Sequence, residues 1–305
     1  MLRIDRILFP TDRSDSAEQA RRHASFLADR HGAQLHAIRV EEREADWNDV
    51  IDIQEADVLS DLRLDADPGA LSPTQVVERS FVHPSVADGI LSYAAEHDID
   101  LIVMGTHGRR GVQRWMMGSI AEEVVRRSEC PVLTVVARTQ DPDDEAPASV
   151  GRLLVPVDFS DPTDSLIGHA REIALAYDAD IALLHVIEPV SLPNAYGTAP
   201  LTLDPDSVRE DARAALEDRA DRLREAGLDV DTHLRTGHPA ENILAAVEDE
   251  AADVVTIATH GRTGMRRILL GSIAEKVVRR APVPVFTVTS FGRSLIDAPA
   301  ASARS

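Results

Sequence analysis

A single cysteine, Cys130, stands among 305 residues, so no intrachain disulfide can form. That suits a reducing compartment, and a cytoplasmic location is the expectation. Lysine is equally scarce: Lys276 is the only one, and arginine carries nearly all the positive charge. No apolar run approaches the roughly 18 residues of a membrane span. The opening Met1-Leu2-Arg3-Ile4-Asp5-Arg6 lacks the apolar core of a signal peptide, and no membrane partner is expected. A net charge of −20 argues against a general nucleic-acid binder, which needs a basic face. Acid excess with so little lysine reads as adaptation to a saline interior, where self-repulsion is screened.

Several chemistries are missing as well. Neither glycine loop has the lysine of a G-x-x-x-x-G-K-[ST] phosphate loop. The G-x-G-x-x-G fingerprint is absent from the first strand–helix turn. His107 and His260 have no H-x-x-x-H or cysteine partner nearby, so they read as loop residues rather than as metal ligands or bases. No Ser/His/Asp set is brought together by the sequence itself. Accordingly, no catalytic residue and no protein-borne metal site is nominated.

What is present is a repeat. The segment from Gly118 to Val135 lies over that from Gly271 to Val288 with one constant shift. The start Ile7-Leu8-Phe9-Pro10-Thr11-Asp12 likewise matches Leu153-Leu154-Val155-Pro156-Val157-Asp158. Two copies mean a duplicated domain, not a solenoid. The expected division is residues 1–138, an acidic proline-bearing linker 139–149, residues 150–290 and a frayed tail 291–305. In the first copy, strands are expected at Ile4–Phe9, Gln34–Val40, Val76–Val82, Ile99–Met104 and Val132–Val136, and helices at Asp15–Arg30, Val86–Glu96 and Ser119–Arg127. Glu41–Ser72 reads as an acid-crowded amphipathic helix with a long loop. In the second, strands fall at Arg152–Val157, Ile181–Ile187, Val230–Arg235, Val254–Ala258 and Val285–Val288. Helices lie near Ser165–Tyr177, Ser207–Ala226, Ala240–Glu250 and Ser272–Arg280. Alternation of this kind implies an α/β fold of βαβ units and a mostly parallel sheet.

The candidate site follows from the buried run Leu101-Ile102-Val103-Met104. Glycines stand at 105, 108 and 118, and a helix opens at Ser119. A strand, a glycine-bearing loop and a helix N-terminus suit phosphate, because backbone N–H groups and the helix dipole both favour an anion. The second copy repeats this with Ala258, Gly261, Gly271 and Ser272. Asp12 and Asp158, where the first strand meets its loop, read either as ribose acceptors or as helix N-caps. Ser119-x-x-Glu122 and Ser272-x-x-Glu275 each fit a capping box, a reading compatible with phosphate binding.

These residues together resemble the universal stress protein family over nearly the whole chain. The nucleotide-binding pattern G-x-x-G-x9-G-[ST] is met by Gly105, Gly108, Gly118 and Ser119. The second copy departs from it at Ala258. The resemblance implies two tandem Rossmann-like domains of the adenine nucleotide alpha hydrolase type, each a five-stranded parallel sheet of order 3-2-1-4-5. It implies ATP, or ADP or AMP, as cofactor, with magnesium or manganese held through the phosphates. By position, Pro10, Asp12, Pro156 and Asp158 would lie at the ribose, and Val40 and Val186 would meet adenine through their backbone. Gly105, Gly108, Arg109, Gly118, Ser119 and Ile120 would surround one phosphate chain, and Ala258, Gly261, Arg262, Gly271, Ser272 and Ile273 the other. It also implies pairing of the last strands inside the chain, further dimerisation of tandem chains, and a role in stress response with weak or absent ATP hydrolysis. The alternatives are a slow hydrolase of adenine nucleotides and a scaffold with vestigial sites. A methyl group on Ala258, taken to lie against the nucleotide, ranks the first site as the tighter.

Overall fold

Helices and strands fall in both halves where the hydrophobic periods place them. A computed structural model describes residues 4–43, 76–106, 117–137, 149–160, 162–189, 205–259, 270–289 and 293–296. The first half runs β1 (Arg6–Pro10), α1 (Asp15–His31), β2 (Gln34–Glu42), β3 (Val76–His83), α2 (Val86–Glu96), β4 (Leu101–Gly105), α3 (Ser119–Arg127) and β5 (Val132–Val135). The second half runs β6 (Arg152–Val157), α4 (Pro162–Tyr177), β7 (Asp180–Ile187), α5 (Pro205–Glu225), β8 (Val230–Thr236), α6 (Pro239–Asp249), β9 (Val254–Ala258), α7 (Ser272–Arg280) and β10 (Val285–Val288). Of the expected Glu41–Ser72 helix, Glu41 and Glu42 extend β2 instead and residues 44–72 lie outside the described residues, as do the linker through residue 148 and the loop residues 107–116 and 260–269.

Among the described residues ten strands form one sheet of order β3-β2-β1-β4-β5-β10-β9-β6-β7-β8. Each half is the expected 3-2-1-4-5, parallel throughout. The halves join where β5 and β10 pair antiparallel, Phe286 opposite Leu133. Each strand also donates a threonine hydroxyl across the seam, Thr134 Oγ1 to Val285 O at 3.2 Å and Thr287 Oγ1 to Val132 O at 3.0 Å. The two last strands therefore satisfy each other, which closes the edge that a lone half would expose.

Two apolar layers cover the sheet. One joins α1, α4 and α5 to residues such as Phe9, Leu133, Val155 and Phe286; the other lies under α2, α3, α6 and α7. Alanines at 17, 20, 24 and 28 bring α1 close to the sheet. Across the halves, His23 Nδ1 meets Tyr177 Oη at 2.9 Å and Phe26 stacks on the same ring.

The tail from Phe291, expected to be frayed, is docked over its described residues. Arg293 donates its N–H to Glu129 O and pairs with Asp98 at 2.6 Å, both in the first half. Leu295 is buried and donates its N–H to His169 Nε2 in the second. Burying Leu295 and satisfying Arg293 outweigh the entropy of ordering these four residues, a balance invisible in an alanine- and serine-rich composition.

Acid sensitivity resides partly in the first half. His36 on β2 is buried, with Nδ1 at 2.9 Å from Tyr93 Oη and Nε2 at 2.9 Å from Gln34 Oε1. Burial, then the nearby charges of His97, Arg6 and Arg79, lower its pKa from 6.5 to about 4. Between those values the unfolded imidazole takes a proton that the folded one refuses. Stability is therefore complete above pH 6.5 and falls as pH drops toward 4, by up to about 1.4 kcal/mol per pH unit for one full proton. Urea unfolding at pH 7, 5.5 and 4.5 is expected to show a shallower loss in His36→Gln than in the parent. Identical slopes would refute the assignment.

Candidate functional site

The site begins where β1 and β4 part. They pair only at Ile7 with Leu101 and Leu8 with Ile102, and the matching pair β6–β9 only at Leu153 with Val254 and Leu154 with Val255. Thr11 donates its N–H to Ile38 O on the β2 side at 2.9 Å. Donors alternate along a strand, so the N–H that Pro10 lacks would have pointed toward β4. Pro10 and Pro156 thus end the ladder on the side where the strands splay. A cleft at the carboxyl ends of adjacent parallel strands, where strand order reverses, is where open α/β sheets take ligands.

Asp12 and Asp158 stand at the lip of each cleft. Neither is the N-cap of its helix: Ser14 caps α1, accepting from Ala17 N, and α4 opens only at Pro162. Asp12 Oδ1 instead accepts Ser14 N at 3.1 Å, and Asp158 Oδ1 accepts Ser160 N at 3.0 Å. The next residues, Arg13 and Phe159, both hold positive φ, 63° and 59°. A non-glycine residue in that region costs energy and recurs at functional turns. The same unfavourable turn beside the same aspartate in both halves marks the position.

Val40 is not a strand end, as the sequence suggested, and Val186 is the residue before one. β2 continues to Glu42 and β7 to Ile187, with Val40 opposite Phe81 and Val186 opposite Arg235. Their backbone remains suited to a ligand for a related reason. Ile38 O points toward β1, so the backbone groups of Val40, two residues on, point the same way after β1 has ended. Gly237 N donates to Ile187 O on the β8 side, which places the groups of Val186 toward the matching cleft.

On the opposite wall, Thr106 N donates to Val135 O, and Gly118 N to Thr106 O at 2.7 Å. Thr259 and Gly271 repeat both bonds, the second at 2.8 Å. Thr106 and Thr259, buried and absent from the residues nominated from sequence, therefore draw each loop's ends together. Their recurrence in Thr-His-Gly-Arg in both halves was the available signal. A Cβ on Gly118 would sit 3.0 Å from Thr106 O, tighter than side chains normally approach.

The capping-box reading of Ser119 and Ser272 is corrected. Gly118 and Gly271 are the N-caps, with no side-chain cap bond, and each serine is the first residue inside its helix. An extended glycine already supplies the cap carbonyl, accepting Glu122 N at 3.0 Å and Glu275 N at 2.8 Å. Ser119, Ile120, Ser272 and Ile273 are exposed, and the first-turn N–H groups have no intrahelical acceptor. Serine hydroxyl, orphan N–H groups and positive dipole end all serve an anion.

The ranking of the two sites by the Ala258 methyl is also corrected. A Cβ at Gly105 would meet Ser16 Oγ at 2.6 Å and the α1 backbone at 2.8 Å, so that face looks toward α1. Ala258 packs against the corresponding core layer. Its methyl is accommodated there, and the steric reason for ranking the first site above the second disappears. Gly108, Arg109, Gly261 and Arg262 lie outside the described residues, as do His107 and His260. Among the described residues no cluster of His, Cys, Asp or Glu forms a metal centre, and no helix is long and apolar enough to cross a membrane.

Comparison with known proteins agrees with this architecture. The sequence model of the universal stress protein family matches residues 3–136 and 150–289. A universal stress protein of Methanocaldococcus jannaschii is 31% identical over 137 residues, 45% of this chain and 81% of that one. One of Mycobacterium bovis is 28% identical over 197 residues, 62% of this chain and 61% of its own length. A solved universal stress protein structure from Archaeoglobus fulgidus superposes with a TM-score of 0.56 at 21% identity, covering 95% of this chain and 96% of that one. A Pseudomonas aeruginosa protein described as functionally unknown gives 0.65 at 19%, covering 94% and 92%. The two superpositions speak to the fold.

Proposed function

We propose, from the premise that this chain belongs to the universal stress protein family, that it binds an adenine nucleotide, ATP in the first instance, in each of its two clefts. The observation that carries this is the duplicated juxtaposition of a strained aspartate turn with an exposed, side-chain-uncapped helix N-terminus across splayed strands. The residues fit such a ligand. Asp12 and Asp158 offer carboxylate to a ribose diol, and the backbone of Val40 and Val186 offers a donor and an acceptor to the base edge. Gly118, Ser119 and Ile120, with Gly271, Ser272 and Ile273, offer N–H groups to phosphate. Magnesium or manganese would neutralise the phosphates from the solvent side. On this reading the protein is a regulatory or protective module of the stress response, its two sites held in one sheet.

Each helix end contributes roughly 0.3–1 kcal/mol toward an anion, and about 2 where partly buried. Calorimetry of the full chain with ATP and magnesium in molar potassium chloride is expected to give micromolar affinity, about −8 kcal/mol. Ser119→Glu and Ser272→Glu place a carboxylate at each phosphate position on an exposed residue, where an acid suits the helix dipole. Each is expected to remove one of two equivalents of bound ATP. Absence of both heat and thermal shift with ATP, ADP and AMP would end this reading.

A further inference from the structure

Residues 293–296 lie across the junction of the halves, and α4 is shaped to take them. Gly168 stands inside α4, where glycine is unfavourable. A Cβ there would lie 2.5 Å from Ile296 Cδ1, so its absence leaves the room that the tail fills. Leu295 and His169, the residue after Gly168, are each 1% exposed. Ser294 Oγ accepts Ile296 N at 3.3 Å and turns the chain there. At the other end Arg293 is held by the first half, through Asp98 at 2.6 Å, Asp100 at 3.2 Å and Glu129 O at 2.7 Å.

His169 joins tail and helix in one protonation state only. Its Nδ1 lies 2.8 Å from Ser165 O, which can only accept, so Nδ1 carries a hydrogen. Leu295 N, which can only donate, lies 3.1 Å from Nε2, so Nε2 carries none. A second proton would have to go on Nε2. It would face the Leu295 N–H, break that bond and leave a charge buried against a donor.

The ionisable groups of the surrounding elements do not offset this. On α4, Arg171 and Glu172 pair with each other at 2.5 Å. On α1, His23 meets Tyr177, and His31 lies in the field of Glu172. On the tail, Arg293 is held by Asp98 and Asp100. Beneath α4, β6 and β9 present Leu153, Val155 and Val254. The His169 pKa is accordingly lowered from 6.5, by burial first, while the bond to the Ser165 carbonyl pulls the other way.

We propose that residues 293–296 are a clasp between the halves that opens in acid, with His169 as its switch. Nucleotide binding plays no part in it. The open clasp binds a proton more readily than the closed one. The closed form is therefore complete above pH 6.5 and weakens below it, by up to about tenfold per pH unit for one proton.

Hydrogen exchange of the full chain tests this, read by mass spectrometry at the Leu295 and Ile296 amides and corrected for the intrinsic pH dependence of exchange. Between pH 7.5 and 5.5, protection there is expected to fall about three- to tenfold. His169→Gln offers Leu295 N an acceptor that takes up no proton, and the fall is expected to vanish. A loss common to the whole fold, such as His36 brings, would persist in that variant. Arg293→Gln, which removes the ion pairs with Asp98 and Asp100 but keeps His169, is expected to lower protection at both pH values and leave the step between them. It decides the matter should His169→Gln fail to fold. Protection that is flat in the parent, a fall that survives in His169→Gln, or a step that disappears in Arg293→Gln would overturn the proposal.

Discussion

Phe286→Ala is expected to destabilise the whole chain by about 3–5 kcal/mol, the range for truncating a buried phenylalanine. Phe286 is 1% exposed, sits on β10 opposite Leu133 of β5, and belongs to the apolar layer shared by both halves. Its loss opens a cavity at the seam itself. The only cysteine provides a reporter in the other half. Cys130 is buried, just before β5, and burial pushes its thiol up to about 11, so it is inert while the fold is closed. If the halves unfold together, the substitution in β10 should raise the rate of Cys130 labelling at neutral pH by roughly a hundredfold or more, the factor that such a free energy implies. Urea unfolding followed by circular dichroism should stay a single transition with a lower midpoint. A loss below about 1 kcal/mol, or unchanged thiol labelling, would mean that the halves open independently.

Gly105→Ala is the second large effect, at the upper end of the roughly 1–3 kcal/mol that overpacking costs. The added methyl would lie under 3.0 Å from Ser16 Oγ, Ser16 C and Ala17 N, and two of these are backbone atoms that cannot rotate away. The first turn of α1 must shift, and with it Ser14 and the Asp12 turn. Affinity at the first cleft should fall together with stability. Ala258 occupies the matching place without difficulty. Where α1 brings Ser16, Ala17 and Ala20, α4 brings Pro162, Thr163 and Leu166, and the larger Leu166 is itself buried. Both sides of the contact carry larger residues in the second half, where Ala258 packs against the apolar layer that holds Leu166. Ala258→Gly should therefore cost only about 0.5–1 kcal/mol, the ordinary penalty of glycine in a strand. Denaturant midpoints for the two variants decide this, and equal losses would refute the account.

The same contact shows why part of the site was misread. Spacing placed Gly105 between a strand and a phosphate loop, and a glycine there suggested close approach of a ligand. Close approach is correct, but the neighbour is a helix, because residue 105 continues the alternation of Leu101 and Val103 toward the α1 layer. Ser119 was misread for a similar reason. The pattern S-x-x-E fits a capping box whether the serine is the cap or the residue after it. Only backbone angles distinguish the two, and Gly118 takes the extended conformation.

Much else was legible from residue order. The order within each half and the pairing of Val132–Val136 with Val285–Val288 were what the family resemblance implies, whereas periods of hydrophobicity, helix signals and the duplication marked the ten strands and the α/β class. Local sequence suffices there because a buried parallel strand and an amphipathic helix each betray themselves within a dozen residues. The tertiary structure alone decided what depends on groups distant in the chain. It tied Arg293 to Asp98, Leu295 to His169 and Tyr177 to His23. It set Thr106 against Gly118 across a loop, and Thr163 against Asp158 across a turn. These contacts are determined by which backbone groups and side chains remain unsatisfied once the sheet is built, and residue spacing carries no record of that remainder.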